Sequence, residues 1–352
     1  MDIQALSPNL VLRAYRGPED HQAMNDVAAA VRVDNGDREL GTVADLDNHY
    51  AHLDQVALPR DCALVELDGR VVAYGRASWA ELADGSAQVE SILNIHPDAR
   101  GRGVEELLVD HAIGRARELV ADPETTHGRT ARLVVFVSGR DETQRTVLSG
   151  IGFRITGHGA QLIRPDFDSI PDLPLPEGLE VRPIDPSDRA MHRRVYDAGA
   201  RAFADSPGEE KPTEAKYDEF LNDPLFAPHL WQVAFDGDRI AGQILNYLGD
   251  LEADGTRIGW TEGISVQPEH RRRGLARALL ARSLRTVRDA GATCAGLGVD
   301  LRNPNQAVVL YESMGYRIVS ENYEYALGPL GPGTTAGASP GATPDRSTGV
   351  AS

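Results

Sequence analysis

In a chain with 53 acidic against 36 basic side chains, four arginines crowd one glycine turn: Arg271, Arg272, Arg273 and Arg277 surround Gly274 and Ala276. Before the turn, Ile258, Trp260, Ile264 and Val266 fall on alternate positions, as in a strand with one apolar face, and Pro268 ends it. After it, Ala276, Leu280, Leu284 and Val287 recur at helical spacing until Gly291 supplies a stop. The basic residues therefore sit at a strand-to-helix turn, where unpaired backbone N–H groups and the positive end of the helix dipole face outward. Such a turn binds phosphate. Gly274 permits close backbone approach, and small Ala276 does not obstruct it.

A second segment follows. Ala295–Asp300 is apolar enough for a neighbouring parallel strand, and it leads into Asn303-Pro304-Asn305-Gln306-Ala307-Val308-Val309-Leu310-Tyr311-Glu312-Ser313-Met314-Gly315-Tyr316. Arg271-x-x-Gly274-x-Ala276 after a strand and Val-x-Pro resembles the acyl-CoA diphosphate loop of the GNAT acetyltransferases. The Asn, Ala, Leu-Tyr and Gly-aromatic of the second segment resemble that family's next motif. The resemblance implies acetyl-CoA as co-substrate, no metal, and two parallel strands that splay so that the pantetheine arm slots between them. It places Ile264, Val266, Arg271, Arg272, Arg273, Gly274, Ala276, Arg277 and Asn303 at the cofactor. It also implies direct acyl transfer to an amine, with no covalent enzyme intermediate.

Direct transfer needs two proton events. The amine must lose a proton to attack the thioester, and the departing thiolate is helped by receiving one. Tyr311 occupies the family's general-acid position, and a phenol with a pKa near ~10 can donate to a thiolate. Glu262 is the candidate base, with the water chain that the resemblance also allows as the alternative. Strand alternation puts its carboxylate on one side with Ile258, Trp260 and Ile264, where apolar neighbours would raise its pKa. An acceptor for a nearby arginine is the plainer role for Glu262, and a core tyrosine the plainer role for Tyr311.

These residues must be positioned by a larger frame, and the frame is written twice. Leu10-Val11-Leu12-Arg13 is matched by Leu179-Glu180-Val181-Arg182, and the hairpin around Asp68-Gly69 by that around Asp236-Gly237. Each half then runs strand, glycine turn, helix, and ends on Gly152-Phe153 or Gly315-Tyr316. Four landmarks in one order make an internal repeat. The expected organisation is a first unit over 1–165, a proline-rich linker over 166–178, a second unit over 179–328 and a disordered tail over 329–352. The expected fold class is α/β: two tandem domains, each a mixed, partly splayed sheet flanked by helices.

The first half departs from the motif. Arg100-x-x-Gly103 is kept, but Glu105 stands at the small position, and a carboxylate there costs Coulomb energy against a diphosphate. Counting back from Gly152 puts Leu148 where the second half has Tyr311, and Arg140 where it has Asn303. The first half reads as a degenerate scaffold, with catalysis expected in the second.

The formal charge of −17 disfavours nucleic acid and anionic lipid as partners. Two distant cysteines, Cys62 and Cys294, with neither a signal-peptide pattern nor a bilayer-length apolar run, favour the cytoplasm. No metal spacing appears among the ten histidines, and no Gly-x-Gly-x-x-Gly turn or nucleotide P-loop is present. The expected substrate is a small-molecule amine; Asp205, Glu209 and Glu210 form a loop that would suit a cation, but a solvated acidic loop explains them equally well, and a homodimer is left open. Among tandem relatives the mycothiol synthases are similar in layout, length and degenerate first half, so cysteinyl-glucosaminyl-inositol is the alternative acceptor. A non-catalytic acetyl-CoA-binding sensor is the alternative from another class.

Overall fold

The computed structural model describes residues 9–36, 41–53, 56–204, 210–252, 254–302 and 307–331; the expected tail lies outside these from residue 332 onward. The first half runs β1 (Leu10–Ala14), α1 (His21–Asn35), α2 (Val43–Ala51), β2 (Cys62–Leu67), β3 (Arg70–Glu81), β4 (Ala87–Ile95), α3 (Val104–Ala121), the single turn α4 (Pro123–Thr126), β5 (Ala131–Ser138), α5 (Glu142–Ile151) and β6 (Arg154–Arg164). The second half repeats the order with β7 (Leu179–Arg182), α6 (Arg189–Phe203), α7 (Glu214–Asn222), β8 (Gln232–Asp236), β9 (Arg239–Leu251), β10 (Arg257–Val266), α8 (Leu275–Asp289), β11 (Cys294–Asp300), α9 (Ala307–Ser313) and β12 (Arg317–Leu330). The fold class is the expected mixed α/β. Among the described residues, no helix is long and apolar enough to cross a membrane.

Local chemistry explains the elements. The β2–β3 turn places Asp68 at φ +52° and Gly69 at φ +78°, the left-handed pair that joins twisted strands tightly. Helix α2 starts with a reciprocal cap between Thr42 and Asp45. Helix α8 buries Leu279, Leu280, Leu284 and Val287 against the sheet. Helix α6 buries Val195 and Ala198 in a separate cluster with Trp231 and Phe235, on the other face.

All twelve strands form one sheet in the order β1-β2-β3-β4-β5-β12-β6-β11-β10-β9-β8-β7. The centre of that order does not follow the sequence repeat. Each half's last strand crosses to the other half: β12 pairs with β5, β6 pairs with β11, and β6 and β12 pair with each other, all antiparallel. Strand β12 runs to Leu330, past the boundary expected at Gly328. The proline-rich stretch carries no helix or strand. It lays Phe167, Ile170, Leu173 and Leu175 against the α8 cluster, and the Arg164 guanidinium ties it down through Asp166 O, Asp168 O and Met314 O.

The exchange makes the second half's core depend on the first half's residues, because Leu162 of β6 is buried beside Leu280 and Leu297. Leu162→Ala is expected to cost ~2–5 kcal/mol of stability. Hydrogen exchange should report the loss in β11 of the other half; unchanged protection there would count against the pairing.

Candidate active site

The two strands around the arginine turn part company. β10 and β11 are paired from Ile258/Cys294 to Trp260/Gly296 only, although β10 continues to Val266 and β11 to Asp300. Backbone groups beyond a fork need other partners. At its apex the Thr261 hydroxyl donates to Gly296 O at 3.2 Å and accepts from the Tyr316 hydroxyl at 2.9 Å. The next residue faces the opposite side, and Glu262 Oε1 accepts the Gly298 N–H at 2.9 Å, so its carboxylate spans the opening.

The expected alternation breaks just after Glu262. Gly263 adopts φ +58°, and the pairing with β9 slips between Glu262 and Ser265, which is a bulge. Ile258 and Trp260 share a cluster with Ile163 and Cys294, whereas Ile264 and Val266 turn to the α8 cluster. Glu262 therefore lies with Ile258 and Trp260 but not with Ile264. Tyr311 reaches the fork from α9 on the α8 side, 7% exposed, with its ring edge-on to Tyr316 at 6.2 Å. Burial, and then the charge of Glu262, push its phenol up to about 12, so it is protonated at neutral pH.

In the turn, Arg272 at φ +58° and Gly274 at φ +86° reverse the chain into α8. A Cβ on Gly274 would meet nothing within 4 Å. Arg272, Arg273 and Arg277 are exposed. Arg271 is not aimed outward: its guanidinium donates to Val266 O at 3.1 Å and Ala202 O at 2.8 Å, bracing the turn on β10 and α6. Arg273 leans on His270 Nδ1 at 3.2 Å. Asn303 lies outside the described residues.

The first half carries the same turn with a different content. Gly101 and Gly103 take φ +71° and +86°, matching Arg272 and Gly274. Glu105 is 0% exposed. Both its carboxylate oxygens accept the Gly101 N–H, at 3.0 and 3.2 Å. A carboxyl group of the chain itself thus fills the turn at the position where the second half has Ala276. The first fork is closed further along as well: β4 and β5 pair over five positions rather than three, and the Gln144 side-chain amide donates to Leu93 O at 3.4 Å. Leu148, at the place of Tyr311, is buried core.

Between the halves lies a groove of about 500 Å³, lined by Arg32, Asp45 and Asn48 of the first half and by Glu219 and Asp223 of the second. Gln161 of β6 lies on its floor and is the register partner of Gly298, the residue bonded to Glu262. The groove therefore opens one strand from the Glu262 carboxylate. Asp223 is raised above the usual carboxylate range by burial, with the charges of Asp45 and Glu219 adding to it. A cleft whose carboxylates repel one another attracts cations and hydrogen-bond donors. Glu210 takes no part; it pairs with Lys216 and bridges to Leu82, while Asp205 and Glu209 lie outside the described residues. Sequence reasoning missed Thr261, Gln161, Glu219 and Asp223, and none of them sits in a motif that could have marked it.

The buried Glu105 generates a pH signature. Burial raises its pKa despite the amide donors, so between the ordinary glutamate range and its raised value the folded state holds the extra proton. Wild-type stability should then fall as pH rises across that window. Glu105→Gln should lack this slope in denaturant titrations between about pH 4 and 7; an unchanged slope would show that Glu105 is not the titrating group.

The match to known proteins follows the same lines. Residues 180–319 match the family model described as an acetyltransferase (GNAT) domain. The chain is 30% identical to a mycothiol acetyltransferase of Salinispora arenicola over 265 residues, covering 73% of this chain and 78% of that protein. It is 26% identical to a mycothiol acetyltransferase of Kytococcus sedentarius over 329 residues, covering 91% and 99%. A GCN5-related N-acetyltransferase from Sphaerobacter thermophilus shares the fold at a TM-score of 0.69 and 22% identity, over 93% of this chain and 97% of that one. A tandem GNAT protein from the clavulanic acid biosynthesis pathway does so at 0.62 and 18%, over 92% and 99%. With a duplicated frame, a splayed pair of strands and relatives matched over most of their length, the chain belongs to the GNAT acetyltransferases, in their tandem form.

Proposed function

We propose that the second half transfers an acetyl group from acetyl-CoA to the primary amine of a small molecule held in the groove between the halves. The observation that carries this reading is the contrast between two turns of matching backbone. One is filled by the Glu105 carboxyl group, whose two oxygens share the Gly101 N–H. The other has Ala276 at that position and presents exposed Arg272, Arg273 and Arg277 around it. The diphosphate takes the place of the missing carboxylate, on the amides that open α8. Arg271 holds the turn in shape rather than touching phosphate.

From there the pantetheine arm lies in the fork, along Ile264 and Val266 on one side and β11 on the other. Its length brings the thioester to the apex, between Tyr311 and Glu262. The amine nitrogen attacks the acetyl carbonyl carbon, the C–S bond breaks, and the amine's proton leaves through the Glu262 carboxylate. Tyr311, kept protonated by its burial, donates its proton to the departing sulfur. The products are the acetamide and CoA, and each residue regains its starting state by exchange with solvent.

The acidic groove suits an acceptor with an ammonium and further donors. The relatives named mycothiol acetyltransferase make cysteinyl-glucosaminyl-inositol the first acceptor to assay, against aminoglycosides and polyamines. A pure acetyl-CoA sensor would have no use for a phenol and a carboxylate meeting at the fork. Tight acetyl-CoA binding without turnover of any amine would favour the sensor.

Tyr311→Phe should lower kcat by roughly 10²–10⁴-fold while acetyl-CoA affinity is kept; an undiminished rate would remove Tyr311 from the acid role. Ala276→Glu should copy the first half's closed cradle and weaken CoA binding by about 100-fold, the equivalent of two charge-assisted hydrogen bonds. Unaltered affinity, measured by calorimetry, would place the diphosphate elsewhere.

A further inference from the structure

Three side chains link the non-catalytic half to the wall of the groove. Arg76, in the middle of β3, is 5% exposed and sits over the Tyr50 ring at 5.2 Å. Its Nη1 lies 2.7 Å from His49 Nε2, and His49 Nδ1 lies 2.5 Å from Glu219 Oε1. A guanidinium can only donate, so His49 Nε2 accepts and its proton is on Nδ1, aimed at Glu219. Helix α2, which carries His49, packs on α7, which carries Glu219. One turn on, His52 accepts at Nε2 from Asn222 at 3.4 Å and donates from Nδ1 to Asn48 O at 2.7 Å.

Glu219 lines the groove together with Asp223. Burial works against its charge, yet the hydrogen bond from His49, with the charge of Lys216 nearby, brings its carboxylate below the ordinary range. One oxygen is occupied by His49, which leaves the other to face a ligand. The geometry points to a division of labour: we propose that His49, locked in its Nδ1–H form by Arg76, is a positioning residue that holds Glu219 against a donor-rich part of the amine acceptor. The ligand chemistry is an ammonium or a cluster of hydroxyls some way from the reacting amine, at the groove end away from Glu262. The non-catalytic half thereby sets acceptor affinity without touching the reaction. This rests on reading the groove as the acceptor site.

The test uses the full chain and whichever of cysteinyl-glucosaminyl-inositol, an aminoglycoside or spermidine is turned over fastest. His49→Ala should raise the KM for that amine by about tenfold, with kcat and the KM for acetyl-CoA kept. His49→Asn, whose amide N–H can replace the Nδ1–H, should restore most of the loss. Long-range ¹H–¹⁵N spectra should show His49 protonated at Nδ1. If Glu219→Gln raises the acceptor KM but His49→Ala does not, the relay is overturned while the groove stands. If Glu219→Gln and Asp223→Asn both leave the KM unchanged, the groove is not the acceptor site and the proposal falls with it. A loss of stability and of all kinetic parameters together in both His49 variants would make His49 merely structural, as would an Nε2–H tautomer. No turnover of any of these amines overturns the functional reading itself, and this inference with it.

Discussion

β10 and β11 stop sharing hydrogen bonds after Trp260 and Gly296, and the rest of the second half is arranged around what that leaves unsatisfied. A pair of parallel strands that diverge in the interior exposes backbone donors and acceptors, each costly to bury alone. The protein supplies two partners of its own. Thr261, backed by the Tyr316 hydroxyl, closes the apex, and Glu262 takes the Gly298 N–H across the opening. Further out, the Gly263 bulge turns Ile264 and Val266 toward the α8 core. On the proposed reading, a polar, amide-bearing arm fills this slot and its anionic end meets the α8 N-terminus.

The first half shows what happens when the same frame supplies every partner internally. Its turn follows the same left-handed path, but Glu105 takes the place of an outside anion. Its strands stay paired for longer, and Gln144 occupies Leu93 O. Closing the slot does not make the half dispensable. It lends β6 to the second half's sheet, places Gln161 beside Gly298, and walls the groove with Asp45 and Asn48. A half that donates a central strand to the other's sheet is held to it by more than a linker.

Much of this frame is visible in the sequence, because the relevant signals are local. The strand before Pro268, the helix after Gly274, the hairpin at Asp68-Gly69 and the repeat itself each follow from spacing and turn chemistry within a few residues. The exchange of β6 and β12 is not visible: a strand's alternation tells which face is buried, not which strand lies beside it. The facing of Ile264 failed for a related reason, since one glycine in a left-handed conformation shifts every later side chain to the other side. Glu105 was recognisable as an obstacle to a diphosphate, but its own residence in the cradle depends on the Gly101 amide pointing back at it. His49 and Glu219 are 170 positions apart on ordinary polar helices, and no periodicity connects them.

On the proposed reading, the chain keeps a single open diphosphate cradle, at the start of α8. Isothermal titration of the intact protein with acetyl-CoA measures this directly. The expected result is one equivalent bound per chain. Two equivalents would mean that the Glu105 carboxylate does not close the first cradle, and would contradict it.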